Sequence, residues 1–212
     1  MSKRILAAVL AVFMMLGCAI AEQAEPVETA AAAETVDGAT SNGEPVVIGI
    51  YTEGTAEEEI TYDVTEYVND EGGYVISLPA DWEFADVAMP GGAEGASAVK
   101  TFLAMVSPEA DKSLSIITAD AGSMGIEDLS SDVDKLTDEV IGRLKNVTAA
   151  DNNGIVTSGS NVYMYIGYIV DGSTIDQYYR VVGSDLVMVT FVNESDNGFK
   201  GAVLSTLNGI EG

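Results

Sequence analysis

Two segments of this chain have no polar face to turn toward water. In Val162–Val170, the residues Tyr163, Tyr165 and Ile169 alternate with Val162, Met164, Ile166 and Val170. Leu186–Val192 is nearly as apolar. β-branched and aromatic residues at this density form strands, and a strand apolar on both sides needs cover above and below its sheet. Asp171-Gly172-Ser173-Thr174 and Gly183-Ser184-Asp185 are turn sequences, and between them lies a third strand, Ile175–Val182. The expectation is a three-stranded meander in the middle of a sheet, with the rest of the chain supplying two covers.

Two helices are expected to supply them. Leu129, Val133, Leu136, Val140, Leu144 and Val147 recur at spacings of three and four, which makes one apolar stripe. Asp128 and Asp132 near its start and Arg143 and Lys145 near its end suit the helix dipole, and Glu139 and Arg143 form an i, i+4 pair. Phe199, Val203, Leu207 and Ile210 mark a terminal helix capped by Ser195 or Asp196.

Upstream, Val46–Tyr51 reads as a strand, Thr52–Glu59 as an acidic break and Ile60–Val68 as a second strand. Asn69-Asp70-Glu71-Gly72-Gly73 is a turn leading into Tyr74–Leu78, which stops at Pro79; Trp82 follows, the only tryptophan of the chain. Met89–Ser97 is a glycine-rich loop. Val99–Val106 and Leu114–Ala119 form a hairpin across Ser107–Lys112. Hairpin connections throughout predict an α+β domain over residues 46–212, with an antiparallel sheet sandwiched by helices.

Residues 1–21 read as a targeting segment. Lys3 and Arg4 precede an apolar run from Ile5 to Leu16, which is too short for a permanent membrane helix. Leu16-Gly17-Cys18 resembles a bacterial lipobox, with Cys18 as the lipidated residue, although Met15 stands where leucine is usual. Ala19-Ile20-Ala21 is an alternative cleavage site that would release a soluble protein. Either reading places the mature protein outside the cytoplasm, as a cell-surface or periplasmic lipoprotein or as a secreted one. Residues 22–45 carry six carboxylates, no basic residue and no aromatic, and read as a disordered tether.

Charge and missing residue types narrow the chemistry. The chain has 34 acidic and 9 basic residues, a net charge of −25, which disfavours nucleic acid and anionic membrane surfaces as partners. Contact with a membrane is therefore expected only through a lipid on Cys18. The chain has no histidine and one cysteine, so Ser-His-Asp and Cys-His catalysis and the usual zinc sites are excluded. No catalytic residue, cofactor or metal ligand is assigned. Calcium is an option for so acidic a chain, but Asn69-Asp70-Glu71 and Asp151-Asn152-Asn153 lack a calcium-loop motif and read as turns.

The run Gly73, Tyr74, Ile76, Ser77, Pro79 and Trp82, followed by hairpin, helix, meander and helix, resembles the PsbP-like fold family over about residues 60–210. The resemblance implies an antiparallel sheet between helices. That fold occurs in extrinsic photosystem II proteins, in a eukaryotic Ran-binding protein and in bacterial DcrB-type lipoproteins, the branch nearest this chain. It hosts mostly non-enzymatic binding, and fold alone does not give function. The expected function is an exported, lipid-anchored, non-enzymatic binding domain for an envelope protein or small ligand. A structural or assembly-assisting envelope lipoprotein is the alternative, and a carboxylate-based hydrolase comes last. Tyr74 and Trp82 are the candidate recognition surface; Tyr163, Tyr165, Tyr168, Tyr178 and Tyr179 cluster on two neighbouring strands, and those on the less covered face could line a groove.

Overall fold

In the computed structural model the two double-faced segments lie inside one large antiparallel sheet. The structure describes residues 46–53, 56–85, 99–122, 129, 133–142 and 144–210. The first strands are β1 (Val46–Glu53), β2 (Ala56–Tyr62), β3 (Val64–Asn69), β4 (Tyr74–Pro79) and β5 (Glu83–Phe84). The hairpin β6 (Val99–Val106) and β7 (Ser113–Asp120) precedes helix α1 (Val133–Gly142). Then come β8 (Val147–Ala149), β9 (Gly154–Ser158), β10 (Asn161–Val170), β11 (Ser173–Val182) and β12 (Asp185–Val192). Helix α2 (Asn197–Ser205) and β13 (Asn208–Gly209) complete the order.

The main sheet runs β5-β6-β7-β12-β11-β10-β8, and β9 also pairs with β10. Strand β12 lies between β7 and β11, and all eight of its residues are buried. Strand alternation then sorts the core into two layers. Phe102, Ile117, Met164, Ile166, Tyr179 and Met188 face Val140 of α1, with Ile141 and Leu144 packed alongside. Leu103, Ile116, Tyr163, Val187, Val189 and Phe191 point the other way. Each such side chain, fully buried, contributes roughly 1.5–3 kcal/mol.

The second cover differs from the expected pair of helices. Helix α2 supplies Phe199, Val203 and Leu204, and Tyr74, Ile76 and Leu78 come from β4, the centre of a small sheet ordered β13-β4-β3. Both β3 and β4 alternate buried and less buried positions, so their hairpin has one apolar face to lay on the main sheet. One side is thus covered by helix α1, the other by a helix and a sheet together.

Several boundaries also need correction. The stripe expected as one helix to Val147 is helical only to Gly142. Asn146 takes a left-handed φ of 58°, and Val147–Ala149 then pairs with β10. Leu144 and Val147 still pack against the core, so the stripe predicts burial beyond the helix. The Glu139–Arg143 pair and the Met89–Ser97 loop lie outside the described residues. Thr52–Glu59 belongs mostly to the β1–β2 hairpin rather than to a break, and Ile60–Val68 is divided at Asp63. Asp196 is the cap of α2, its Oδ1 accepting from the Phe199 amide at 3.0 Å. That helix ends at Ser205, leaving Ile210 outside it and 40% exposed.

Candidate functional site

Trp82 follows the end of β4, outside the ladders on either side of it. Its indole stacks on Phe199 of α2, with ring centroids 5.8 Å apart and an interplanar angle of 29°. The ring is half-buried and forms part of the wall of an open groove of about 540 Å³. Three pieces of chain meet there: the β4–β5 corner with Pro79, Asp81 and Trp82; the β6–β7 turn with Ser107, Pro108, Glu109, Asp111 and Lys112; and Glu194, Asp196 and Phe199 at the start of α2. Asp63 completes the rim.

Local hydrogen bonds hold this frame rigid. The Ser107 hydroxyl donates to Asp111 Oδ1 at 2.9 Å and accepts from the Lys112 amide at 3.2 Å. Asn193 Nδ2 donates to the Asp111 carbonyl at 3.3 Å, tying the turn to the end of β12. Glu194 is buried, and its carboxylate meets Lys112 Nζ at 3.1 Å and accepts from the Asp196 amide at 2.8 Å. Beneath it, Lys200 Nζ reaches the Glu194 carbonyl at 3.1 Å and Asp176 Oδ2 at 2.6 Å. The other oxygen of Asp176 accepts from the Tyr165 hydroxyl at 2.7 Å. Both carboxylate oxygens of Asp176 are therefore occupied. Asp63, Asp81, Glu109 and Asp111 are exposed along the groove.

The second candidate residue, Tyr74, does not reach this surface. It is 0% exposed, packs on Tyr67 with centroids 6.3 Å apart, and has its pKa raised by burial. It is a core residue. Four of the five clustered tyrosines divide between the two core layers, with Tyr168 and Tyr179 on one side and Tyr163 and Tyr178 on the other. Tyr163, Tyr165, Tyr168 and Tyr179 are all buried, and Tyr178 lies between Tyr165 and Phe191 in ring contacts of 5.0 and 6.0 Å.

The oxygen-rich turns are built as turns. Asn69 Oδ1 accepts from the Gly72 amide at 2.7 Å, and Asn153 Oδ1 accepts from the Gly167 amide at 2.7 Å. Among the described residues, no three acidic or cysteine side chains converge closely enough to hold a metal ion. No helix among them is long and apolar enough to cross a membrane. Cys18 lies outside the described residues.

No protein-family model and no curated protein matches the chain. Solved structures similar to it include PsbP (CyanoP) of the cyanobacterium Synechocystis sp. PCC 6803, at 18% identity and a TM-score of 0.44, over 74% of this chain and 98% of that one. A protein from Bacteroides thetaiotaomicron VPI-5482 is similar at 14% identity and a TM-score of 0.41 over 66% of this chain. This chain spans 46%, about half, of that protein's length. Neither likeness carries a function across. The groove beside Trp82 was legible in the sequence only as a lone tryptophan after a proline; the acidic turn and the α2 start that complete it are distant in the chain.

Proposed function

We propose that this chain is an exported, lipid-anchored, non-enzymatic binding domain of the PsbP-like, DcrB-type kind, and that the groove beside Trp82 is where it engages an envelope protein. One observation carries the reading: an open groove with a rigid hydrogen-bonded frame, walled by an aromatic stack and lined by side chains from three separate parts of the chain. Rigid frames reduce the ordering cost of binding, and half-exposed aromatics at their edge are favoured anchors. The absence of histidine and of a second cysteine from the sequence supports binding over catalysis.

A photo-crosslinking amino acid placed at Pro108 is expected to trap a protein partner in envelope fractions of the host cell, while one at Glu71 traps none. Crosslinks from both positions, or from neither, overturn the groove as the docking site. Mass spectrometry of the mature N-terminus reads the anchor: a diacyl-glyceryl Cys18 supports it, and a free Glu22 terminus rules it out.

The alternative, an assembly-assisting lipoprotein, draws on a different surface. Ile155 of β9, Val162 of β10 and Val181 of β11 lie on one face by strand alternation and are 46%, 53% and 38% exposed.

A further inference from the structure

We infer that the groove beside Trp82 takes a basic polypeptide segment, an extended stretch carrying several arginine or lysine side chains. This rests on the groove being the docking site proposed above. Six of the twelve residues lining the groove are carboxylates: Asp63, Asp81, Glu109, Asp111, Glu194 and Asp196. Its single cation, Lys112, is already bound to Glu194 at 3.1 Å. Asp196 is engaged as the cap of α2. Asp63, Asp81, Glu109 and Asp111 remain exposed along the rim.

The arrangement of these charges selects the kind of cation. Among the described residues the carboxylates do not converge as a metal site requires. Charges spread along a groove match a series of separate cationic groups, one per carboxylate. The indole of Trp82 adds a surface on which a guanidinium stacks, through cation–π attraction and its planar shape. Pro79 and Pro108 supply rigid apolar contact for the stems of such side chains.

Trp82 is the only tryptophan, so its emission reports on this site alone. The full-length protein is titrated with a peptide of four arginines separated by serines, with the same peptide carrying glutamate for arginine, and with spermine. Expected is a saturable change in emission with the arginine peptide only. Asp81→Asn/Glu109→Gln should weaken binding at least tenfold, and Asp70→Asn/Glu71→Gln less than twofold. The latter pair removes the same charge from the far end of the β3–β4 hairpin, where Asn69 pairs with Tyr74 rather than Val64 with Pro79. Equal weakening by both variants would mean attraction by bulk charge and overturns the inference. Spermine binding as tightly as the peptide overturns it too, in favour of a small polycation. If the arginine peptide fails while crosslinking from position 108 still traps a partner, the basic-segment chemistry is wrong and the groove stands. If both fail, the groove reading falls as well.

Discussion

Tyr163 is fully buried in β10, and its hydroxyl donates to the Leu204 carbonyl at 2.5 Å. Burial, opposed in part by the Arg180 charge and by hydrogen bonds from Asn161 and Arg180, pushes its pKa up to about 12. An ordinary tyrosine titrates near 10.0, so on alkaline titration the native state holds this proton after the unfolded chain has lost it. Its contribution is complete below about pH 10 and is lost as pH rises toward about 12. The urea midpoint should fall across that window, and Tyr163→Phe should make the fall shallower while costing about 1 kcal/mol at neutral pH for the lost hydrogen bond. An identical slope in the variant would remove Tyr163 from the account. Tyrosine roles were only partly legible beforehand, for a reason of parity. Tyr74 opens β4 and points inward with Ile76 and Leu78, whereas Trp82 comes after the proline that ends the ladder and is free of that alternation.

Helix α2 does more than cover the sheet. It carries Lys200 into the interior beside Phe199, Val203 and Leu204, where the ammonium and Asp176 Oδ2 lie 2.6 Å apart with both side chains 7% exposed. Removing one partner leaves a buried charge uncompensated. Lys200→Met should therefore cost about 3–5 kcal/mol in urea unfolding, and Lys200→Met/Asp176→Leu should recover much of that. Strict additivity of the two single changes would show the pair uncoupled. The sequence displays the helix, through Phe199 and Val203, and its Asp196 cap. It does not display the pairing of Lys200 with Asp176, 24 residues away, which arises only once α2 lies across β11. The same limit hid β5, β8 and β13, strands of two or three residues. Such segments are too short to show a period, and they exist because a longer neighbour offers them a ladder.

At the scale of the molecule, 34 acids against 9 bases repel one another in the compact state. Raising NaCl from 0.01 to 1 M shortens the screening length from about 30 to about 3 Å. The melting temperature should rise with salt, by about 2–4 °C for each kcal/mol of repulsion relieved, while affinity for an arginine peptide falls. A melting temperature that drops with salt would mean that attractive pairs outweigh the repulsion. The two-layer core and its meander could be read from apolar runs that left no wet face; the composite second cover could not, because β4 finds one of its two partners at Asn208–Gly209. That pairing bears on the order in which the molecule can assemble. The β6–β7 hairpin joins β12 and the meander only through β7, so it waits for residues 185–192, and β4, paired early with β3, waits for its second partner until residue 209 has been made. Contacts this distant in sequence form slowly. A growing chain would hold little beyond isolated hairpins until residues 185–209 have been made.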